Sequence, residues 1–266
     1  MTYTLESKDE WKRLESQSQN PFYDYQKELS EFILKTDGPI LDAGSGSGVV
    51  SRYLAQQKEN AEIIGYDFSA DRIVKSRLTI AGSQKNISFV QGDLLHLPFS
   101  ENYFSGVVCR YVIEHFSAIN QIKVIEQIFR CLKPGGWVCI VDLDGMYYNL
   151  YPTPKVVSKM LKALEKAQTV DLQVGRKLPY ILSQAQFSNI SWKIELMNFQ
   201  GKHLEEEAKM MSERLDITLP YIATLLKSEK QAAELKRIVI DTMHRPGTVL
   251  FYNKFIVMAQ KPTLKL

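Results

Sequence analysis

Three aspartates each close a short apolar run: Asp42 in "ILDAG", Asp67 in "IIGYD" and Asp93 in "FVQGD". Behind the first of them stand Gly44, Gly46 and Gly48, in "LDAGSGSG", and a helical pattern begins straight after. Glycine tolerates positive φ and lets a ligand approach the backbone. The helix that follows offers unpaired N–H groups and a partial positive end. An acid at the end of the second run can accept hydrogen bonds from both hydroxyls of a ribose. An acid at the end of the third can bond an exocyclic amino group. The glycine spacing is GxGxG, not the GxGxxG of a dinucleotide site. Asp42, two residues before Gly44, would repel a pyrophosphate but suits an ammonium group. No GK[ST] follows, which excludes a P-loop. The chemistry favours an amino-acid nucleoside.

The elements that must position these acids follow from periodicity. "PILDAG", "AEIIGYD", "ISFVQGD", "FSGVVCRYV" and "WVCIVDLD" read as strands. Between them come Val49, Val50, Tyr53 and Leu54 at helical spacing, and then a helix capped by Ser69 and running to about Ala81. Ile119, Ile122, Ile125, Phe129 and Leu132 mark another helix, which stops at "KPGG". Strand and helix alternate from Pro39 to Asp144, so a parallel sheet with right-handed crossovers is expected. Its strand ends carry the three acids to one edge. Leu29, Phe32 and Ile33 share a helical face ahead of this core, in a segment starting near Asp9.

Beyond Asp144 the rhythm changes. "GMYYNLYPTP" is an aromatic loop. Val157, Met160, Leu161 and Leu164 mark a helix, and "GRKLPYILSQAQF" a shorter one. "ISWKIELM" alternates as a half-buried strand. Leu204, Ala208, Met211 and Leu215 predict a helix, "PYIATLLKSEKQAAELKRIVI" a second, and "VLFYNKFIVMAQ" a closing strand.

The 266 residues carry 33 basic and 30 acidic side chains, for a net charge of +3, with the signs interspersed. No block of like charge supplies the footprint of a nucleic-acid binder. Cys109, Cys131 and Cys139 sit in or beside apolar runs and read as buried thiols, with no metal-ligand spacing. The first residues are polar and no apolar run reaches the length of a membrane span, so a cytoplasmic location is expected.

Five motifs in order resemble the class I S-adenosylmethionine-dependent methyltransferases: "LDAGSGSG", "GYD", "GDLLHLPF", "VVCRYVIEHF" and "LKPGGWVCIVD". The resemblance implies a Rossmann-like α/β fold, a seven-stranded doubly wound sheet, mostly parallel with an antiparallel last strand. It implies S-adenosyl-L-methionine as cofactor and S-adenosyl-L-homocysteine as product. By the same resemblance Gly44, Gly46 and Gly48 line the methionine and ribose, and Asp42 holds the methionine amino group. Asp67 binds the ribose, Phe68 packs on the adenine, Asp93 bonds the adenine amino group with Leu94 beside it, and Arg110 offers its backbone to the methionine end. "GRKLPYIL" resembles a stretch of small-molecule methyltransferases of natural-product and quinone type.

Methyl transfer needs a general base only when the acceptor loses a proton. His115, just after the fourth strand, is the candidate base. His203 and His244 flank the late helical pair and either face the pocket or the surface. Tyr147, Tyr148 and Tyr151 are candidates for an aromatic acceptor site, and Tyr23 for a covering N-terminal segment. The expected organisation is an N-terminal helical lid over residues 1–38, a core of 39–200 and 248–266, and a helical insertion at 201–247 that is either a lid or a dimer interface. The expected reaction moves a methyl group to an O, N or C acceptor on a small molecule, by a monomer or homodimer. Strand four lacks "NPPY" or "DPPY", which disfavours planar amino groups. A protein or tRNA acceptor, or an inactive binding module, are the alternatives.

Overall fold

The computed structural model describes residues 10–33, 38–80 and 84–263. Its sheet contains β1 (Ile40–Ala43), β2 (Ile63–Asp67), β3 (Ile87–Gln91), β4 (Phe104–Arg110), β5 (Leu132–Asp144), β6 (Leu150–Tyr151), β7 (Ser188–Phe199) and β8 (Val249–Gln260). The order is β3-β2-β1-β4-β5-β8, with β7 on the far side of β8. The first five strands are parallel, and β8 runs antiparallel to both β5 and β7. The expected seven strands are present, and β6 is an eighth. This two-residue piece pairs Leu150 with Leu250, on the side of β8 opposite β7, and so prolongs the line of β5 after an intervening loop.

Continuous apolar runs make β1 and β2 buried along their whole length. Such strands need cover on both faces. One face is covered by α5 (Ala118–Cys131) and α7 (Leu178–Gln184), whose Val124, Ile128, Leu178 and Leu182 pack on Leu41, Val107 and Val138. The other is covered by α2 (Tyr25–Ile33), α3 (Val49–Gln57) and α4 (Ala70–Thr79), through Leu29, Leu54 and Ile73. A third cluster lies beside the sheet. In it α6 (Lys155–Ala167), α8 (Lys202–Leu226) and α9 (Glu229–Met243) pack Leu161, Leu215 and Leu235 around Tyr23, Met146 and Tyr252.

The N-terminal segment is α1 (Glu10–Ser18), a 3-10 turn at Pro21–Tyr23 and α2. Asp9, where a helix was expected to start, lies outside the described residues, as does Ala81 at the expected end of α4. Of the expected face on α2, Leu29 is fully buried; the side chains of Phe32 and Ile33 lie outside the described residues. A network of buried charge fixes α2 to the sheet. Glu28 accepts hydrogen bonds from Arg110 Nε (2.7 Å) on β4 and Lys254 Nζ (2.7 Å) on β8. Lys254 also reaches Glu195 on β7 at 2.8 Å.

Two boundaries differ from expectation. β5 begins at Leu132, which already pairs with Phe104 before a register shift. The late helical pair does not divide at Pro220, because α8 runs through it. The division comes at Lys227, which takes a left-handed φ of 53°, followed by Ser228, whose Oγ accepts the Gln231 N–H at 3.2 Å. A serine cap satisfies a helix-terminal donor, whereas a proline inside a helix removes one bond and is tolerated where packing holds both sides.

Candidate active site

A cavity of about 960 Å³ opens at the carboxyl ends of the parallel strands and continues beneath α6 and α8. At one end are Asp42, Gly44, Gly46, Asp67, Phe68, Asp93, Leu94 and Arg110. The three aspartates therefore converge as their strand-end positions predict. Gly44 must be glycine twice over. Its φ is +79°, and a Cβ there would lie 2.4 Å from the Val112 side chain. Gly48 does not line the cavity; it caps α3 with φ of +79°, and a Cβ there would strike Phe89.

Asp42 is 2% exposed and accepts a hydrogen bond from Ser51 Oγ at 2.6 Å. Burial raises its pKa to about 6, against the lowering effects of Ser51 and Arg110. A buried carboxyl held this high gains most from a cationic neighbour. An ammonium group fits it. Ser45 Oγ, in the glycine loop, is buried without a hydrogen-bond partner and is a further polar atom facing this end. Asp67 holds the loop as well as facing the cavity: its Oδ2 accepts the Gly46 N–H (2.8 Å) and its Oδ1 accepts Ser69 N–H (2.9 Å) and Arg72 Nε (3.1 Å). Asp93 uses Oδ1 on Leu95 N–H at 2.9 Å. Arg110 turns its guanidinium away to Glu28, so only its remaining atoms serve the cavity. Helix α1 crosses this end, with Leu14 Cδ1 3.0 Å from where a Gly46 Cβ would lie and Glu15 paired to Arg52 at 2.7 Å.

The other end is walled by Tyr23, Glu114, His115, Leu143, Tyr147, Met160, Ile217, Ile222 and Arg214. Tyr111 and Tyr147 both adopt left-handed backbone, with φ of 55° and 63°. Such conformations are costly for aromatic residues and concentrate at functional sites. The Tyr111 ring meets that of Tyr23 edge-on at 5.4 Å. Tyr148 and Tyr151 do not join the wall. Tyr148 donates to Glu165 at 2.7 Å, and Tyr151 is 70% exposed, because β6 turns the chain outward after Tyr147. His203 packs on Phe22 outside the cavity, and His244 caps α9.

His115 is held neutral: burial lowers its pKa to about 3, helped by Arg13 and Arg72. Its neighbour Glu114 behaves in the opposite sense. Burial raises Glu114 to about 7, against Arg214 and Arg13. Glu114 Oε1 lies 3.5 Å from His115 Nε2, and its N–H donates to the buried Asp142 at 3.2 Å. Burial and Glu114 together push Asp142 well above the usual carboxylate range. A proton acceptor works best with a pKa near the operating pH, which favours Glu114 over His115. Glu114 stands in "VVCRYVIEHF" next to His115, where the sequence pattern does not single it out. Arg13 and Arg214 were also missed. The signal for Arg214 is its place on the apolar stripe of α8, beside Met211 and Leu215.

Among the described residues no cluster of His, Cys, Asp or Glu could hold a metal ion, and no helix is long and apolar enough to cross a membrane. The three cysteines are buried thiols.

A family profile described as a methyltransferase domain matches residues 40–136. The phosphoethanolamine N-methyltransferase of Plasmodium falciparum is 27% identical over 187 residues, covering 70% of this chain and 67% of that protein. The ubiquinone/menaquinone biosynthesis C-methyltransferase UbiE of Coxiella burnetii is 30% identical over 119 residues, or 44% of this chain; the match spans about half of that relative, 47%. Among solved structures, Haemonchus contortus phosphoethanolamine N-methyltransferase 2, in complex with phosphomonomethylethanolamine and S-adenosylhomocysteine, superposes with a TM-score of 0.60 at 20% identity. That alignment covers 97% of this chain and 58% of that one. The profile, the relatives, the strand order and the acid-and-glycine edge agree: residues 40–136 match a methyltransferase domain, set in a fold shared with S-adenosylmethionine-dependent methyltransferases.

Proposed function

We propose that the protein transfers a methyl group from S-adenosylmethionine to a small-molecule acceptor held beneath α6 and α8. The observation that carries this reading is the single cavity running from the glycine loop to Tyr147 and Arg214. At about 960 Å³ it lies near the upper end of the range for small-molecule sites. It is lined by α1 and by α8, the first helix of the late pair, so we assign both as lids.

When bound, the cofactor supplies an electrophilic methyl group on a sulfonium. The chain's own residues then bind, orient and exclude water. Asp42 holds the ammonium group, Asp67 the ribose, and Asp93 the adenine amino group, with Phe68 against the base and Leu94 beside it. Where the acceptor gives up a proton, Glu114 takes it. Neutral His115 beside it orients the carboxyl without adding charge. The relatives named above methylate nitrogen in one case and carbon in the other, and both kinds of acceptor fit this scheme.

Calorimetric titration with S-adenosylmethionine and with S-adenosylhomocysteine tests the cofactor half. Micromolar binding is expected of both. A folded protein that binds neither would remove the basis of the reading. A screen of small acceptors with labelled methyl donor then tests the acceptor half.

A further inference from the structure

The acceptor end holds one arginine whose carboxylate partner stands at longer range than the others'. Four arginines line the cavity: Arg13, Arg72, Arg110 and Arg214. Three have short carboxylate contacts: Arg13 with Glu10 at 2.7 Å, Arg72 with Asp67 at 3.0 Å and Arg110 with Glu28 at 2.7 Å. Arg214 does not. Its Nη1 lies 3.4 Å from Glu207 Oε1, and its other contacts are the sulfurs of Met146 and Met211 at 3.7 and 3.8 Å. Charge-assisted pairs close to about 2.7–2.9 Å, and arginine prefers a two-pronged fork on its anion. Thioether sulfur is a weak acceptor.

Glu207 shares one oxygen between two donors. Its Oε1 already accepts the Tyr252 hydroxyl at 3.0 Å, while its Oε2 is buried without a partner. The Tyr23 hydroxyl is likewise buried without one. Arg214 itself is only 8% exposed, and its surroundings include Leu143, Met160, Ile217 and Ile222. A guanidinium paired this loosely in such a place carries a desolvation cost. The arrangement makes sense as one half of a pair.

We propose that the acceptor carries an oxyanion, a carboxylate or phosphate, which docks on Arg214 while its apolar body fills the wall between α6 and α8. This deepens the methyltransferase reading and rests on it. A cationic acceptor without an acid would meet the guanidinium's repulsion there, offset by Glu207 and Glu114 alone among the named groups.

The test loads the protein with S-adenosylhomocysteine and titrates it calorimetrically with two matched pairs: 4-hydroxybenzoate against 4-hydroxybenzamide, and phosphoethanolamine against ethanolamine. At least one acid is expected to bind about tenfold more tightly than its neutral or cationic partner. Arg214→Met is expected to erase the preference and Arg214→Lys to restore part of it, with cofactor affinity unchanged in both. Equal binding within both pairs overturns the proposal, as does a preference that survives in Arg214→Met. Failure to bind the homocysteine product at all would be a failure of the methyltransferase reading, and it is seen in the loading step.

A different observation concerns β7. It is an edge strand, paired only with β8 among the described residues. Its outward face shows Trp192, Ile194 and Leu196 at 56, 47 and 59% exposure. Long apolar edges invite strand addition. The stretch "WKIEL" is self-complementary when run antiparallel about Ile194: Trp192 then faces Leu196 on one side of the sheet, and Lys193 faces Glu195 on the other, where Glu195 also carries Lys254 at 2.8 Å and Lys27 at 3.3 Å. Opposite charges and apolar pairs set directly across a ladder each stabilise it. We infer that a second copy of this chain docks on β7 in that register, forming a two-fold dimer.

Sedimentation equilibrium is expected to show a dimer that Ile194→Lys abolishes. Ile194→Cys places two thiols face to face on the axis, so oxidation is expected to cross-link it. Asn198→Cys places them about 26 Å apart and is expected to stay uncrosslinked. The native cysteines are buried and do not compete. A wild-type monomer at about 100 µM overturns the inference, as does cross-linking of both cysteine variants alike.

Discussion

The two ends of the cavity are built in different ways. The cofactor end is made of strand termini and the turns that leave them. Its donors are backbone N–H groups and its acids sit one per strand, so the parallel sheet alone sets their spacing. The acceptor end is made of side chains from the turn at Tyr23, α6, α8 and the segments after β4 and β5, with Leu143 of β5 the one strand residue named in its wall. The first end takes its geometry from the fold. The second can be rewritten by single substitutions while the fold is kept. A likeness of fold therefore speaks for the cofactor and leaves the acceptor to the chemistry of a few charges.

That contrast can be broken at either end. Asp67→Ala is expected to have the largest effect, weakening S-adenosylmethionine binding about 100-fold or more, since it removes the carboxylate proposed to serve the ribose, which also ties Gly46, Ser69 and Arg72. Unchanged affinity by calorimetry would sink the cofactor assignment. At the other end, Glu114→Gln is expected to lower the turnover of a proton-releasing acceptor by about 100-fold, with cofactor affinity intact. A parallel loss of affinity would show that the two ends are not separable.

The pH dependence sharpens the same division. Asp42, raised to about 6, must be ionised to pair with an ammonium group, so cofactor affinity is expected to fall as pH drops below about 6. Glu114, raised to about 7, must be ionised to accept a proton, so turnover is expected to rise as pH climbs through about 7. Binding and rate profiles that coincide would assign one group to both. The smallest expected effects are those of Tyr148→Phe and Tyr151→Ala. Both residues stand off the cavity, and either variant should keep its turnover within about twofold. A large loss in either would return the aromatic loop to the acceptor site.

The sequence was most informative where function depends on local backbone. Gly44 and Asp42 are required by one turn, and five residues are enough to see it. The topology followed because β-α alternation leaves few parallel arrangements. Arg214, Glu207 and Tyr252 could not be grouped, because their meeting depends on how the α8–α9 hairpin lies against β8. The aromatic loop shows the same limit: Tyr147, Tyr148 and Tyr151 look alike in sequence, and only the outward turn at β6 separates them. Pro220 misled for a physical reason. Proline does end most helices, but α8 is held on both sides of it by Leu215 and Ile222.

The Glu28–Arg110–Lys254 network has a consequence for how the molecule is made. Glu28 is synthesised 226 residues before Lys254, one of its two cationic partners. Until β8 leaves the ribosome, a carboxylate destined for full burial has Arg110 but not Lys254, and α2 is held on the sheet by Leu29 and that one pair. A nascent chain stopped before Val249 already carries every cofactor-facing acid and glycine, yet it lacks the ammonium that seats the N-terminal segment over them. Cofactor capture is expected to be one of the last events of biosynthesis, timed by a lysine that does not line the cavity.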